Sequence, residues 1–297
     1  MQERDGYIAG VPCWVDTSQP DPEAAIPFYS GLFGWDFEDV MPPDSPGKYF
    51  IARLRGSDVA AVGSQPEGSP PMAVWNTYIW VDSADETAEK VRAAGGQVIT
   101  EPFDVMESGR MAVFSDPEGA VFCVWQANQH KGAKIVNEPG SLNFNGLNTR
   151  DPEGAKSFYG SVFGWKTLDL GGAGGVMWQL PGYADHLEER NPGFKKGMAE
   201  GGAPKGFEDV VAFLNPIADD QPDTPAHWGV TFAVDDADAT ADKATELGGQ
   251  VVVPPFDAPW VRMTVLTDPQ GATFIASKFV PENADLASRA DSTASAA

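Results

Sequence analysis

"DPEAAIPFYSGLFGW" (Asp21–Trp35) returns as "DPEGAKSFYGSVFGW" (Asp151–Trp165), 130 residues further along the chain. Nine of the fifteen positions are identical. Each copy reads as an amphipathic helix. Asp21 is a capping residue, and Pro22 follows it where a missing N–H leaves no hydrogen bond unmade. Ala25, Phe28, Tyr29, Leu32 and Phe33 recur at helical spacing and form one apolar stripe. Ala155, Phe158, Tyr159, Val162 and Phe163 repeat it. Gly34 and Gly164 are expected to end the helices. Pro27 is expected to kink the first one, and Ser157 replaces it in the second.

Two further segments are doubled. "VDSADETAEKVRAAGGQVITEPFD" from Val81 matches "VDDADATADKATELGGQVVVPPFD" from Val234. Each reads as strand end, helix, Gly-Gly stop and strand, and Ser83 with Glu86 fits a capping box. "RMAVFSDPEGAVFCVW" (Arg110–Trp125) matches "RMTVLTDPQGATFIAS" (Arg262–Ser277), with DPEG and DPQG as turns between strands. Val81 and Val234 are 153 residues apart, so the second copy has gained 23 within about 181–216. Each copy is itself double. A strand, a helix and three strands fill about 7–65, and the same order fills about 74–127, 141–216 and 226–280. The expected fold class is α+β, with four βαβββ modules in two tandem domains. The domains are placed at 1–135 and 136–282, and 283–297 is expected to be a disordered tail.

Composition narrows the function. The 297 residues are 42% hydrophobic, ample for two cores. A net charge of −23 repels phosphate backbones and anionic lipids, so neither nucleic acid nor membrane is an expected partner. No apolar run approaches a membrane span, and the opening MQERDGYIAG has no signal-like stretch. Two cysteines, Cys13 and Cys123, suit a reducing compartment. The expectation is a cytoplasmic protein, a monomer or weak homodimer, whose partner is a small molecule.

FYSGLFGW and FYGSVFGW after the first helices, Gly-Gly after the second, and DPEG and DPQG before the last strands resemble the vicinal oxygen chelate superfamily. That superfamily includes glyoxalase I, bleomycin-resistance proteins and extradiol dioxygenases. The marks occur in order and twice, and cover nearly the whole chain. The nearest likeness is to tandem-domain actinobacterial members labelled glyoxalase-like or hydroxylase. The resemblance implies paired modules whose mixed sheets curl, barrel-like, around a cupped cavity.

It also implies where a divalent metal would be held in the members that bind one. The corresponding positions here are Trp14 and Phe144, Asn76 and Gly229, and Cys123 and Ile275. Trp, Phe, Gly and Ile offer no suitable donor, so no metal and no other cofactor is expected. A slipped register would bring in His227, two residues from Gly229.

Strand neighbours two apart share a face. On the implied fold, Trp14, Asp16, Asn76, Tyr78, Trp80, Cys123 and Trp125 therefore face the first cavity. Phe144, Gly146, Asn148, His227, Gly229, Thr231 and Ser277 face the second. Core packing is the competing reading for the aromatic residues. Arg110 and Arg262 occupy equivalent positions, as ion-pair partners or as anchors for a carboxylate or enolate. Asp257 and Trp260 are rim candidates, with Glu107 as the counterpart in domain one. Cys123 is a nucleophile or, with no histidine predicted beside it, an inert buried thiol.

The leading expectation is a metal-independent protein acting on a carbonyl-containing or aromatic metabolite. The alternative is a non-catalytic protein that sequesters an antibiotic or toxic metabolite. The insertion is expected to fold over one cavity mouth and make the two sites unequal, with His186 and Glu189 as its candidate contacts.

Overall fold

A computed structural model of the chain describes residues 3–68 and 71–287. The first module holds β1 (Pro12–Gln19), α1 (Pro22–Phe33), β2 (Asp36–Asp39), β3 (Tyr49–Leu54) and β4 (Ser57–Ser64). The second holds β5 (Val74–Trp80), α2 (Ala84–Ala93), β6 (Gln97–Val105), β7 (Gly109–Ser115) and β8 (Val121–Ala127). Domain two repeats the order. Its third module has β9 (Leu142–Thr149), α3 (Pro152–Phe163), β10 (Lys166–Asp169), β11 (Val176–Gln179), two added helices α4 (Tyr183–Arg190) and α5 (Phe194–Glu200), and β12 (Val210–Pro216). The fourth has β13 (His227–Ala233), α6 (Ala237–Glu246), β14 (Gln250–Ala258), β15 (Val261–Thr267) and β16 (Thr273–Phe279).

Each domain is one eight-stranded mixed sheet, in the orders β2-β3-β4-β1-β5-β8-β7-β6 and β10-β11-β12-β9-β13-β16-β15-β14. The two modules of a domain meet where β1 runs antiparallel to β5, and β9 to β13. The barrel-like expectation needs correcting in one respect: the sheets stay open. β2 and β6 are free edges of the first, and β10 and β14 of the second.

The local chemistry is as the sequence implies. Asp21 accepts from the Ala24 N–H at 3.1 Å, and Asp151 from that of Gly154 at 2.9 Å. Gly34 and Gly164 end α1 and α3 with φ of 70° and 73°, in the left-handed region. Ser83 accepts from the Glu86 N–H at 3.2 Å. Helix α1 runs unbroken through Pro27. Pro281–Asp285, placed partly in the expected tail, forms a 3-10 turn, and Asn283 donates to the Val261 carbonyl at 3.0 Å. The remainder of the tail, 288–297, lies outside the described residues.

The helical faces of the two domains pack on each other, α1 against α6 and α2 against α3. One hydrophobic cluster accordingly mixes Phe28, Tyr29 and Trp35 of the first domain with Val230, Phe232 and Phe274 of the second. The Trp35 indole donates to the Gly140 carbonyl at 2.7 Å, and the Trp165 indole to that of Gly10 at 2.8 Å. The second glycine of each Gly-Gly is a close-approach site. A Cβ on Gly96 would lie 2.7 Å from Phe158 Cε2, and one on Gly249 2.8 Å from Phe28 Cε2. This leaves the opposite, concave face of each sheet for ligands.

Candidate functional site

The concave face of domain one is built from alternate residues of its central strands. Trp14 is opposite Tyr78 and Asp16 opposite Asn76 across β1 and β5. Tyr78 is beside Cys123, and Trp80 beside Trp125, across β5 and β8. On β1's other side Asp16 is beside Ala61 of β4. Tyr49 of β3 lies opposite Gly63, where an added Cβ would come 2.8 Å from the Tyr49 ring. Glycine there lets the ring lean over the sheet.

These residues enclose a cavity of about 730 Å³, walled by Trp14, Tyr49, Ile51, Tyr78, Met111, Trp125 and His130. Beneath the wall is a buried carboxylate. Asp16 is 5% exposed. Its Oδ2 accepts from the Tyr78 hydroxyl at 2.7 Å and the Tyr49 hydroxyl at 2.9 Å, and its Oδ1 from Asn76 Nδ2 at 2.8 Å. The Trp14 indole donates to the Tyr49 hydroxyl at 3.1 Å. Asp16 has no ion pair among the described residues. Burial pushes its pKa up, and the hydrogen bonds from Asn76, Tyr78 and Tyr49 oppose that shift. Burial, together with the Asp16 charge, holds both tyrosines well above the usual phenol range.

Cys123 is buried beside Tyr78, and His130 belongs to the wall. Burial raises the Cys123 pKa, which keeps it a thiol. The His130 ring meets Trp14 edge-on at 4.4 Å, and burial lowers its pKa, which keeps it neutral. Its Nε2 is buried without a partner among the described residues.

The other candidates are elsewhere. Arg110 holds Asp85 through two bonds of 2.8 and 2.9 Å and Asp104 at 3.0 Å, which ties β7 to the start of α2. Arg262 likewise holds Asp238 and Asp257 beside α6. Both guanidiniums and Asp257 are thus engaged in ion pairs and line neither cavity described here. His227 is exposed, its Nε2 3.3 Å from Asn148 Nδ2. Thr231 is buried, its Oγ1 unpartnered among the described residues.

On the concave face of domain two, half-buried phenylalanine rings stand over the central strands. Sequence offset and strand register make Gly146 the counterpart of Asp16, and Phe213 that of Ala61. The Phe213 ring covers Gly146 so closely that an added Cβ would lie 1.9 Å from it. Phe144 and Phe207 pack alongside. A separate cleft of about 480 Å³ lies between the N-terminal segment, the start of β9 and the inserted helices, with His186 in its wall.

The repeated motifs and the doubled sheet agree with a comparison against known families. Residues 14–124 and 140–275 match the model of the glyoxalase/bleomycin resistance protein/dioxygenase superfamily. The chain belongs to that superfamily. It is 42% identical over 287 residues to CFP32 of Mycobacterium tuberculosis, a protein to which a glyoxylase activity is attributed by name. That match covers 95% of this chain and 100% of CFP32. It is 36% identical over 283 residues to the anthracycline biosynthesis protein DnrV of Streptomyces peucetius, covering 90% and 93% of the two chains. Among solved structures, the Mn(II)-bound glyoxalase of Novosphingobium aromaticivorans superposes with a TM-score of 0.58 at 16% identity, over 94% of this chain and 83% of the other. That likeness is one of fold.

The positions that would hold a metal in this superfamily do not fit one here. Trp14, Phe144, Gly229 and Ile275 present no donor side chain, which leaves only the Asn76 amide and Cys123, and burial keeps Cys123 a protonated thiol. Among the described residues no three His, Cys, Asp or Glu side chains converge as a metal site. No described helix is long and apolar enough to cross a membrane.

Sequence reasoning found Trp14, Asp16, Asn76, Tyr78, Cys123 and Trp125, which come together. It missed Tyr49 and His130. Alternation along β3 would have found Tyr49; His130 lies beyond the last strand, where no periodicity points.

Proposed function

We propose that domain one binds a small aromatic, carbonyl-bearing molecule and moves a proton on it without a divalent metal. The observation that carries this is the Asp16 carboxylate, buried and cation-free behind two tyrosines in an aromatic cavity. Aromatic walls supply contact area, and the few polar tips supply direction. The tyrosine oxygens stand between Asp16 and the cavity. A proton leaving the ligand passes to a tyrosine oxygen as that tyrosine's own proton passes to Asp16. The ligand is left as an enolate or phenolate, Asp16 as a neutral acid, and the relay reverses to reprotonate it. A raised Asp16 pKa suits this role, because base strength grows with it.

The names of the relatives support the ligand class: one refers to glyoxylase activity and another to anthracycline biosynthesis. The Phe213 ring over Gly146, where domain one has Asp16, supports one working site of this kind per chain. The chain works in the cytoplasm, where Cys13 and Cys123 stay reduced, as a monomer or weak dimer whose helical faces are already covered internally.

Native mass spectrometry of chelator-dialysed protein against a panel of hydroxylated aromatic ketones tests the reading, with deuterium exchange at the ligand's acidic positions as the readout of turnover. One ligand per chain is expected, weakened severalfold or more by Trp14→Ala in a folded protein. Exchange is expected to vanish in Asp16→Asn while binding persists. Binding without any exchange in the wild type would instead favour sequestration, and a requirement for added metal would overturn the reading.

A further inference from the structure

The cleft of about 480 Å³ formed with the insertion contains a guanidinium that pairs with no carboxylate among the described residues. Arg4 belongs to the N-terminal segment, whose backbone is pinned by the bond from the Arg4 N–H to the Lys134 carbonyl at 2.9 Å. The side chain is half-buried. Its Nη1 donates to the Tyr183 hydroxyl of α4 at 2.8 Å, and its carbon centre lies 5.1 Å from the Tyr7 ring centroid. A guanidinium has five N–H donors, and the side chain makes one hydrogen bond among the described residues. No carboxylate pairs with it among those residues.

The acids around the cleft are engaged elsewhere. Asp5 pairs with Arg190, Glu3 accepts from the Ser57 hydroxyl, and Glu208 accepts from the Gly206 N–H at 2.9 Å. Acids outnumber bases by 43 to 20, and most described arginines pair with one, whereas Arg4 does not among the described residues. The inserted helices add the apolar side chains Leu187, Phe194 and Met198 to the same wall. A cation held in place by aromatic groups, beside an apolar surface in a cleft of ligand size, matches an anion with an apolar body.

We propose that this cleft is a second ligand site, for a small apolar monocarboxylate, with Arg4 binding the carboxylate and α4 and α5 covering the apolar part. The site is distinct in place and chemistry from the cavity of domain one. It accounts for the insertion being present in one domain only.

Phenylacetate and its neutral amide, phenylacetamide, are the probes, titrated into the full chain carrying ¹³C-methyl methionine. Met198 lines this cleft and Met111 the cavity of domain one, so the two methyl resonances report the sites separately. Phenylacetate is expected to shift Met198 and to bind about tenfold or more tightly than the amide, as a charge-assisted bidentate contact implies. Arg4→Gln should erase that preference, and Arg4→Lys should retain part of it. Equal affinity for acid and amide in the wild type would overturn the proposal without reference to any variant. So would absence of phenylacetate binding, a shift of Met111 alone, or an unchanged preference in folded Arg4→Gln.

Discussion

The Tyr29 hydroxyl donates to Asp268 Oδ2 at 2.8 Å across the domain boundary, and Tyr159 donates to Asp116 Oδ2 at 3.0 Å in the mirrored contact. Each aspartate begins a DP-x-G turn, and its other oxygen accepts the N–H two and four residues on. The FY of one domain's helix thus grips the turn of the other domain. Together with Gly96 and Gly249 under the phenylalanines, these contacts explain why three motifs recur in order. They specify how the domains dock.

Removing the Tyr159 hydroxyl takes away the one donor that Asp116 Oδ2 has among the described residues, whereas Asp268 Oδ2 keeps a bond from Gln19 Nε2 at 2.6 Å when the Tyr29 hydroxyl is removed. Tyr159→Phe should lower unfolding free energy by about 1–3 kcal/mol at neutral pH, and Tyr29→Phe by less, about 0.5–1.5 kcal/mol. Urea denaturation is the measurement. A change below a few tenths in both variants would show that the cross-domain bonds are incidental.

Gly96→Ala should cost about 1–3 kcal/mol, because its Cβ would meet the Phe158 ring at 2.7 Å and the Ser115 carbonyl at 2.6 Å. Gly95→Ala is the comparison. Its φ of 88° strains any side chain, but nothing lies within 4 Å of the added atom, so its cost should stay near 1 kcal/mol. Equal effects would mean that backbone conformation, not the domain contact, accounts for the second glycine.

The fold was legible because its marks are local and doubled: caps, apolar stripes, Gly-Gly stops and turns. The site was half legible. Alternation along β1, β5 and β8 placed Trp14, Asp16, Asn76, Tyr78, Cys123 and Trp125 on one face. The equivalence of Arg110 and Arg262 was real, but each arginine's role is to hold an acidic residue at a helix start. What sequence could not show was depth. Whether a face is open or filled depends on ring size at one position of a neighbouring strand, and on Arg4 meeting Tyr183 from 179 residues away.

Asp16 should leave a signature in the pH dependence of stability. Burial raises its folded pKa above the ordinary 3.8, so the folded chain holds this proton more tightly than the unfolded chain. The resulting stability is fully present below the unfolded value and is lost as pH rises through the folded pKa. Asp16→Asn does not titrate there. The wild type should therefore lose stability relative to Asp16→Asn as pH is raised from about 4 toward neutrality. A difference that stayed flat, or moved the other way, would place Asp16 in a solvated or cation-paired setting.

Elemental analysis of protein purified without chelator should find well under one equivalent of zinc, nickel, iron or manganese per chain. Of the aligned positions, Trp14, Phe144, Gly229 and Ile275 offer no donor, and Asn76 with the buried Cys123 thiol is too small a set. A stoichiometric metal lost with His227→Ala would show that the exposed imidazole beside Asn148 is a ligand.

One exchange of side chains separates the two concave faces. Ala61 beside Asp16 leaves the cavity of domain one open, and Phe213 beside Gly146 fills the equivalent space in domain two. Ala61→Phe should place a ring over Asp16, block access to Tyr49 and Tyr78, and reduce ligand affinity at least about tenfold. Its cost to stability should be about 1–3 kcal/mol of overpacking. Phe213→Ala should cost about 1–3 kcal/mol, less than truncating a fully buried ring, because Phe213 is half-buried. It should not create a second site of the same kind, since Gly146 and Thr231 stand where Asp16 and Tyr78 supply the polar groups. Calorimetric titration of a ligand identified for the wild type decides the point. Two equal sites in Phe213→Ala, or unchanged affinity in a folded Ala61→Phe protein, would refute the assignment of function to the open face of domain one.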